Sequence, residues 1–458
     1  MKLEQSESYQ VNRRRFIGTS SVAAAYALLG GVELTPAQET EKPVEHEPAG
    51  PKVKCAVIGL GSWGRELVNT LLRIPQAELA AICDTYPAAL KRAAGLAPSA
   101  KPIQDYQSVI ADPDIAAVLV ATPTHLHKEI VLAALRAGKH VYCEVPFAHR
   151  IEDARQIAQA AKAAYKQVFQ AGLQYRSDNQ RLYVQRNIRS GELGDFVMVR
   201  AQWHKKQSWR AASPNPEREK ALNWRLDTEL SPGLVGEIGI HQLDQVSWFL
   251  NRLPLAVCGF GAVRAWDDGR DVADTVQVIM EFPGRLRLVY DATLGSSFDA
   301  EQEIYFGTNA TVVLRESRAW MFKEPDSPLA GWEVYAKKEV FVPGNETGIV
   351  IAADSSKQIM HIEPTQQPAV PQKTALHQAL EAFIGNCAEF SAEVQDFTDA
   401  YGQSDRATFE QHMAANFKPR PAAGYKEGLV ATVIALKANE AVRTGRQIEF
   451  NREWFELS

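Results

Sequence analysis

The sequence predicts an α/β protein with an N-terminal doubly wound parallel sheet and a C-terminal α+β domain with a large, open, mainly antiparallel sheet. Between residues 53 and 143, short apolar runs alternate with helical patterns, which indicates parallel strands joined by helices. A glycine-rich turn follows the first apolar run. After residue 172, successive runs show period-two patterning, which is typical of a sheet with one solvated face.

The first 51 residues are expected to lie outside the fold. Arg13 and Arg14 precede Phe16 and an apolar, alanine-rich run over 22–32, which is the arrangement of an export signal. The segment resembles a twin-arginine (Tat) signal, with an uncleaved apolar anchor or a disordered tail as alternatives. We therefore expect a signal peptide over 1–37 and a linker over 38–51. The resemblance implies export by the twin-arginine machinery to the periplasm or beyond, with no stable membrane span after processing.

A glycine motif follows the first predicted strand, Val53–Ile58. Gly59, Gly61 and Gly64 form a G-x-G-x-x-G pattern that leads into a predicted helix over 65–73. In such a turn the first glycine bends the chain, the second admits a pyrophosphate and the third lets the helix pack on the strand. The helix N-terminus would bind the pyrophosphate, close to Ser62 and Trp63. This context predicts a dinucleotide-binding Rossmann domain over residues 52–172.

The second predicted strand, over 78–83, ends at Asp84. A carboxylate at this position accepts hydrogen bonds from the adenosine ribose and repels a 2′-phosphate, so NAD is favoured over NADP. The alternative is that Asp84 is a turn or N-cap residue before the next helix. Further strands over 116–121 and 139–143, separated by a helix over 128–137, complete the predicted parallel sheet.

Motifs at the ends of these later strands resemble the Gfo/Idh/MocA oxidoreductases. They are Thr122-Pro123-Thr124-His125-Leu126-His127, Ala137-Gly138-Lys139-His140-Val141 and Glu144-Val145-Pro146. The resemblance implies cofactor contacts from Thr122, Pro123, Thr124, His127, Glu144 and Pro146. The family has Glu-Lys-Pro at the last motif, with a lysine that assists proton transfer. Val145 replaces that lysine, and a valine side chain carries no proton.

The C-terminal domain is expected over residues 173–458. Its predicted strands include 196–203, 275–282 and 285–290, with helices over 373–392 and 427–443 bracing the sheet. Residues 326–372 and 396–424 show no strong period and are predicted to be loops or insertions. The family resemblance implies that this sheet forms a wall for the substrate. It also implies pairing through the open face, as a homodimer or homotetramer.

A second family signature lies in residues 231–250. Glu237, His241 and Asp244 are spaced by four and three residues, which places them on one face of a predicted helix. The family has Asp-x-x-x-His here, so the resemblance implies catalytic roles for His241 and for Glu237 at the acid position. A nearby carboxylate would raise the basicity of the imidazole. The alternative is that His241 is an ordinary core residue.

Three further residues are candidates for the cleft. Tyr175 and Arg176 match an Arg-containing segment of the family that faces the cleft, which implies a catalytic role for Tyr175 and a cofactor contact for Arg176. Lys205, at the end of a predicted strand, could replace the missing lysine or bind a sugar. Lysines at strand ends are more often simply solvated.

The composition and the charge pattern argue against a nucleic-acid partner and a bound metal. The net charge is −5, and no basic stripe follows residue 15, so we expect no nucleic-acid partner. The five cysteines show no C-x-x-C spacing, and three of them fall in predicted buried strands, where they act as small apolar residues. No set of side chains has the spacing of a metal loop, so no metal is expected.

Together these features predict an exported, NAD(P)-dependent oxidoreductase that acts on a sugar, polyol or related carbohydrate and holds NAD tightly. One alternative resembles the α-N-acetylgalactosaminidases of this superfamily, which lack the lysine and have valine after the glutamate. Such glycosidases use transient oxidation, elimination, hydration and re-reduction. The third hypothesis is a non-catalytic NAD-binding protein.

Overall fold

A computed structural model describes residues 51–330, 333, 336–341, 346–351, 373–402 and 405–457. The predicted signal peptide, and the predicted linker as far as residue 50, lie outside these ranges. None of the described helices is both long enough and apolar enough to cross a membrane.

The N-terminal sheet consists of six parallel strands in the order β3-β2-β1-β4-β5-β6. The strands are β1 (Val53–Ile58), β2 (Ala77–Cys83), β3 (Lys101–Ile103), β4 (Ala117–Val120), β5 (His140–Cys143) and β6 (Phe169–Ala171). They alternate with the helices α1 (Ser62–Leu71), α2 (Pro87–Leu96), α3 (Tyr106–Ala111), α4 (His127–Arg136) and α5 (Ile151–Ala163). Every residue of β4 and β5 is buried, because helices cover both faces of the sheet. The predicted doubly wound sheet is confirmed.

The C-terminal sheet has ten strands among the described residues, in the order β14-β15-β13-β12-β11-β7-β10-β9-β8-β16. They are β7 (Phe196–His204), β8 (Ala256–Ala262), β9 (Thr275–Phe282), β10 (Leu286–Thr293), β11 (Glu301–Gly307), β12 (Ala310–Arg315), β13 (Arg318–Lys323), β14 (Lys338–Phe341), β15 (Glu346–Val350) and β16 (Ile448–Glu449). Among the strands that the structure describes, only β7 and β10 pair in parallel. Burial alternates along β9 and β10, so the predicted mainly antiparallel sheet with one solvated face is confirmed.

Six further helices lie in the C-terminal part of the described chain. They are α6 (Asn179–Arg189), α7 (Pro216–Leu222), α8 (Ile240–Leu250), α9 (Ala375–Tyr401), α10 (Arg406–Asn416) and α11 (Tyr425–Thr444). Helices α6, α8 and α11 pack on the other face of the C-terminal sheet, and α11 also contacts α5, so it joins the two domains. Helix α9 contacts α1 and the turn Gln174–Ser177. Its Leu376, Leu380 and Phe383 pack in the core of the N-terminal sheet, whereas the sequence predicts that this helix braces the C-terminal sheet.

The predicted loops contain regular structure. Residues 396–424 include the last turns of α9 and all of α10, whose Phe409 and Met413 pack on Phe390 and Phe397. The prediction of a loop was wrong there because these long-range aromatic contacts stabilise helices that have a weak local period. The prediction for 326–372 was wrong for β14 and β15, which pair with each other and extend the sheet from β13. The remainder of that range lies mostly outside the described residues.

Candidate functional site

The turn between β1 and α1 has open space beside one glycine and none beside the other two. Gly59 has a φ of +96°, and a Cβ there would lie 2.7 Å from the carbonyl carbon of Ala121. A Cβ on Gly64 would lie 1.8 Å from the carbonyl oxygen of Gly59. A Cβ on Gly61 would meet no protein atom within 4 Å beyond its two chain neighbours. The space beside Gly61, at the N-terminus of α1, therefore fits the pyrophosphate of a dinucleotide.

The first turn of α1 is tied to the end of β5 through Glu144. Ser62 and Trp63 are exposed in that turn, and Trp63 Nε1 donates a hydrogen bond of 2.7 Å to Glu144 Oε1. Burial of Glu144 raises the pKa of its carboxyl group to about 7. The backbone of Gly172 runs against this carboxyl group, since a Cβ there would lie 2.4 Å from Oε2. Two of the predicted cofactor contacts, Trp63 and Glu144, are thus held together.

Asp84 lies where it is predicted to, directly after β2. Its Oδ2 accepts a hydrogen bond from the Leu60 amide at 2.8 Å, and its Oδ1 accepts one from the Tyr86 amide at 2.8 Å. The carboxylate therefore stabilises the glycine turn and the following turn, as the alternative interpretation expects. Each oxygen keeps a second lone pair, so the same group can also accept a ribose hydroxyl.

The Thr122 motif begins with an unsatisfied buried hydroxyl. Thr122 Oγ1 is buried and has no hydrogen-bond partner within the described residues. A buried hydroxyl at a strand end without a partner fits a group that a bound cofactor would supply. Pro123 follows and caps the short helix Thr124–Leu126.

His127 has an interior position in the same motif. Its Nε2 lies 2.9 Å from the Thr122 carbonyl oxygen and its Nδ1 lies 3.0 Å from that of Pro146. The residue is 1% exposed, and burial lowers the pKa of the imidazole to about 4. His127 therefore connects the Thr122 and Pro146 loops from the protein interior. Its direct contact with the cofactor stays a prediction.

Val145, the residue at the family's lysine position, is 8% exposed and packs in the core of the first domain. Its neighbour Pro146 follows a cis peptide bond. The structure therefore places no proton-carrying side chain at position 145, in agreement with the sequence interpretation.

Glu237 lies in a π-helical turn, Val235–Gly239, which leads into α8. Its Oε1 accepts a hydrogen bond from Thr124 Oγ1 at 2.8 Å, and its Oε2 accepts one from Arg225 Nε at 3.0 Å. Burial raises the pKa of this carboxyl group, while Arg225 and Thr124 oppose the shift. Glu237 thus links the Thr124 loop to the C-terminal domain.

His241 does not receive the carboxylate partner that the sequence predicts. The wider step of a π turn removes the alignment of residues four apart, and both oxygens of Glu237 bond elsewhere. Nδ1 of His241 is buried with no partner among the described residues. Burial, with a smaller contribution from Arg181, lowers the pKa of this imidazole to about 4, contrary to the expected rise in basicity.

Tyr175 lies against His241, with the two ring centroids 5.9 Å apart in an edge-to-face arrangement. It follows β6 directly, so it stands at the same sheet edge as Thr122 and Glu144. We call this junction, between the carboxyl ends of β4–β6 and the start of α8, the cleft. The geometry brings Tyr175 and His241 together there, and their catalytic roles stay predictions.

Arg176 and Asp244 form a bidentate ion pair. Arg176 Nε and Nη2 donate to the two Asp244 oxygens at 2.9 and 2.8 Å, and the guanidinium lies 5.2 Å from the Trp248 ring centroid. Asp244 is therefore used by Arg176 and is not joined to His241 or Glu237 by a hydrogen bond. The guanidinium therefore already has a protein partner. The cofactor contact of Arg176 stays a prediction.

Lys205 is exposed at the end of β7. Its backbone amide bonds to the Thr293 carbonyl, and within the described residues no hydrogen bond connects its side chain to His241 or Glu237. Its catalytic or sugar-binding role stays a prediction.

Two charged residues of the cleft were missed in the sequence. Glu301 accepts a hydrogen bond from Tyr175 Oη, and the guanidinium carbon of Arg181 lies 3.7 Å from the Tyr175 ring centroid. The alternation Glu301, Glu303, Tyr305 along a strand could have indicated carboxylates on the inner face. Arg181 gave no such signal, since arginine is common on exposed helix faces.

Family models match both domains of this chain. Residues 53–172 match the model described as "Oxidoreductase family, NAD-binding Rossmann fold", and residues 182–313 match the Gfo/Idh/MocA C-terminal domain. Inositol 2-dehydrogenase of Salmonella typhimurium is 29% identical over 204 residues, 43% of this chain and 55% of that protein. Levoglucosan dehydrogenase of Pseudarthrobacter phenanthrenivorans is 33% identical over 147 residues, 32% of this chain and 36% of that protein. The chain thus spans about half the length, or less, of these two curated relatives.

Solved structures share the fold across most of the chain. Aldose-aldose oxidoreductase from Caulobacter crescentus, complexed with glycerol, has a TM-score of 0.60 at 20% identity and covers 87% of this chain and 100% of its own. A levoglucosan dehydrogenase complex with NADH and levoglucosan has a TM-score of 0.60 at 19% identity, covering 87% and 99%. The two family models together match more than half of the sequence, and the chain therefore belongs to the Gfo/Idh/MocA oxidoreductase family.

Proposed function

We propose that this protein is an NAD-dependent oxidoreductase that acts on a sugar, polyol or related carbohydrate. One observation carries the proposal: the pyrophosphate space beside Gly61 and the cleft containing His241 and Tyr175 lie at the carboxyl edge of one parallel sheet. Ligands of open α/β sheets bind at this edge. The printed names of the relatives, inositol 2-dehydrogenase and levoglucosan dehydrogenase, support the substrate class.

The cofactor would be held by groups that the fold already positions. The glycine turn and the N-terminus of α1 would bind the pyrophosphate, Asp84 the adenosine ribose, and Thr122 and Glu144 the other half of the dinucleotide. Bound NAD would supply a hydride acceptor. The residues of this chain must then bind the carbohydrate, orient the reacting hydroxyl and remove its proton.

His241 is the group that we assign to the reacting hydroxyl. Since the pKa of its imidazole is about 4, the ring is neutral near pH 7, and its one N–H can donate a hydrogen bond to the oxygen of the reacting hydroxyl. Replacing it should reduce turnover, because an unoriented hydroxyl seldom reaches the reactive geometry. Glu237 is a positioning residue that does not contact the hydroxyl. It holds the Thr124 loop in place through its hydrogen bonds with Thr124 and Arg225.

The cellular setting of the proposed function is outside the cytoplasm. The twin-arginine resemblance implies that the chain folds and binds NAD before export, and no soluble NAD pool replaces a cofactor lost afterwards. We therefore propose a tightly held NAD that one carbohydrate reduces and a second, carbonyl-containing carbohydrate re-oxidises, so that the cofactor returns to its starting redox state within each catalytic cycle.

A redox-neutral glycosidase is the second candidate, and the burial of Val145 favours it. That residue leaves position 145 without a proton carrier, as in the glycosidases that the motif resembles. Such an enzyme would release an aglycone with no net formation of NADH.

The decisive experiment starts from purified mature protein. The nucleotide released on denaturation is identified first, and the native protein is then mixed with free sugars, polyols and glycosides while NADH absorbance and products are followed. We expect an oxidised carbohydrate together with an equal amount of a reduced second carbohydrate; a released aglycone without net NADH would favour the glycosidase. His241→Ala should abolish turnover with NAD still bound, whereas His412→Ala, on α10, should keep it. If no compound changes the bound cofactor or is converted, a non-catalytic NAD-binding protein is the better description.

A further inference from the structure

Charged side chains from β11 and α6 lie close to Tyr175. On the inner face of β11, Glu301 and Glu303 point toward Arg181 of α6 and Tyr175. Tyr175 Oη donates a hydrogen bond to Glu301 Oε1. Arg181 Nη2 lies 3.8 Å from the same oxygen, and its guanidinium stacks on the Tyr175 ring. Tyr175, Glu301 and Arg181 therefore form one connected cluster.

Tyr175 can pass on a proton only if it gives up its own. Burial and the negative charge of Glu301 raise the pKa of the Tyr175 hydroxyl well above its ordinary value, so a tyrosinate is unfavourable. The hydroxyl can still accept a hydrogen bond on one lone pair while donating its proton to Glu301. A neutral tyrosine between an alcohol and a carboxylate is thus suited to relay a proton.

Glu301 also has access to water. Its side chain is 26% exposed, compared with 4% for Arg181. A proton received by this carboxyl group can therefore leave to solvent, whereas the side chain of Val145 carries no proton. His241 is a poor store for the proton, because burial holds the pKa of its imidazole at about 4.

We propose that Glu301 is the terminal proton acceptor of the reaction and that Tyr175 relays the proton to it, in place of the lysine that is absent at position 145. This inference rests on the proposed oxidoreductase function. Bound NAD would supply the acceptor for the hydride lost from the C–H bond of the alcohol, so the chain must take the proton that is released when the O–H bond breaks. That proton binds Tyr175 Oη, and the Tyr175 proton binds Glu301 Oε1. The reverse transfers accompany reduction of the carbonyl product.

Arg181 stabilises the resting state of the relay. Its positive charge lies beside the Glu301 carboxylate and over the electron-rich Tyr175 ring. The other ionisable groups that face the cluster are Glu303, Tyr290 and His241. Glu303 bonds to Gln242 of α8, and no hydrogen bond joins it to Tyr175 among the described residues. It therefore provides a matched control on the same strand.

The test compares Glu301→Gln with Glu303→Gln. Both substitutions remove one carboxylate from the inner face of β11 with little change in shape. Burial raises the pKa of Glu303 to about 7, so a neutral side chain is tolerated there. Proton transfer to a positioned group contributes about 100-fold or more to a rate. We expect Glu301→Gln to lower kcat by about 100-fold or more, with Glu303→Gln remaining close to wild type and Glu301→Asp recovering part of the loss.

A double variant separates a relay from a structural role. Glu301→Gln combined with Tyr175→Phe should be no slower than Tyr175→Phe alone, because both remove the same path. Multiplying losses, or equal losses from Glu301→Gln and Glu303→Gln, would overturn the relay while leaving the oxidoreductase function standing.

A readout without turnover completes the test. In cofactor-free protein, tyrosinate absorbance is titrated for Glu301→Gln with and without Tyr175→Phe, and the difference reports the Tyr175 pKa. We expect Glu301→Gln to lower that pKa from its wild-type value, and Glu303→Gln to lower it less. An unchanged Tyr175 pKa contradicts the hydrogen-bonded pair. If wild-type protein converts no carbohydrate, the proposed function fails, and the relay fails with it.

Discussion

Glu144 is buried at the end of β5, where the Trp63 indole is its side-chain hydrogen-bond donor. Burial raises the pKa of this carboxyl group from 4.5 to about 7, so folding favours the protonated form. The stabilising contribution of the protonated group is complete below the unfolded pKa and is lost as the pH rises through about 7.

Glu144→Gln should therefore flatten the pH dependence of stability. Relative to this variant, wild-type protein should lose about 3 kcal/mol of unfolding free energy between the two pKa values, at 1.36 kcal/mol per unit. Urea unfolding of cofactor-free protein from acid to mildly alkaline pH measures the difference. Glu152→Gln, at an exposed position in the first turn of α5, is the control and should keep the wild-type dependence. Parallel curves for wild type and Glu144→Gln would contradict the raised pKa.

At the residue scale, the sequence predicted which residues belong to the site better than it predicted their contacts. The chain separation of Glu301 from Tyr175 is 126 residues, and no local pattern predicts such a contact. Glu237 and His241 were identified from their motif, but their spacing predicted a pairing that the π turn prevents. A motif therefore predicted which residues belong to the cleft, while their hydrogen-bond partners depended on tertiary packing.

At the scale of elements, the β1–α1 turn separates folding from cofactor binding. Gly61→Ala adds a methyl group where no protein atom lies within 4 Å, so the stability of the cofactor-free protein should be unchanged. The same methyl group would occupy pyrophosphate space. Overpacking costs about 1–3 kcal/mol, which corresponds to a loss of roughly 5- to 150-fold in NAD affinity. Calorimetric titration with NAD and urea unfolding measure the two quantities.

Gly64→Ala is the matched variant in the same turn. Its Cβ would lie 1.8 Å from the Gly59 carbonyl oxygen, so the helix must move away from the strand. We expect a loss of about 3 kcal/mol or more in unfolding free energy, accompanied by weaker NAD binding. Equal losses of unfolding free energy for Gly61→Ala and Gly64→Ala would contradict the difference in space between the two positions, open at Gly61 and closed at Gly64.

The Arg176–Asp244 pair connects the turn after β6 with helix α8. The side chains are 15% and 3% exposed, so removing the arginine leaves a buried carboxylate without its partner. Arg176→Ala should cost about 3–5 kcal/mol of unfolding free energy. Arg406→Ala, which breaks an exposed pair with Glu410 on α10, should cost under about 1 kcal/mol. If Arg176→Ala instead weakens NAD binding at unchanged stability, the cofactor contact implied by the family resemblance is the better interpretation.

Elements with a strong period were predicted well, and those stabilised by distant contacts were not. Strand β9 was predicted at its observed bounds, because alternating burial is encoded locally in Thr275–Phe282. Helix α10 has a weak amphipathic pattern and was missed, since its Phe409 is buried by packing on α9 and on Tyr165. Strands β14 and β15 are short and pair mainly with each other, so their sequences carry little signal of their own.

At the scale of the whole molecule, two helices from the end of the chain complete the fold around the cleft. Helix α11 joins α5 to α8, and α9 joins α1 to the turn that carries Tyr175. The N-terminal domain therefore depends on residues that follow it by more than 200 positions. The sequence predicted both helices but not this bridging, because contacts between distant segments leave no periodic pattern.

Export and cofactor retention can be tested together on the whole protein. The predicted signal, which lies outside the described residues, implies that Arg13→Lys combined with Arg14→Lys retains the protein in the cytoplasm; fractionation of the source cells measures this. If NAD is held captive, exported wild-type protein should retain nearly one NAD per chain after extensive dialysis. A ligand at 100 times its Kd adds about 2.7 kcal/mol of stability, so the loaded protein should also unfold at higher urea concentration than stripped protein.

Gly61→Ala provides the contrast for that experiment, because it lowers NAD affinity without a methyl clash inside the protein. We expect it to lose NAD on dialysis and to unfold like stripped wild-type protein, since ligand stabilisation disappears as the nucleotide dissociates. Exported wild-type protein that contains no nucleotide, yet binds added NAD reversibly and weakly, would exclude the captive cofactor. The dinucleotide would then be an exchangeable cosubstrate, and the redox-neutral cycle would lose its physical basis.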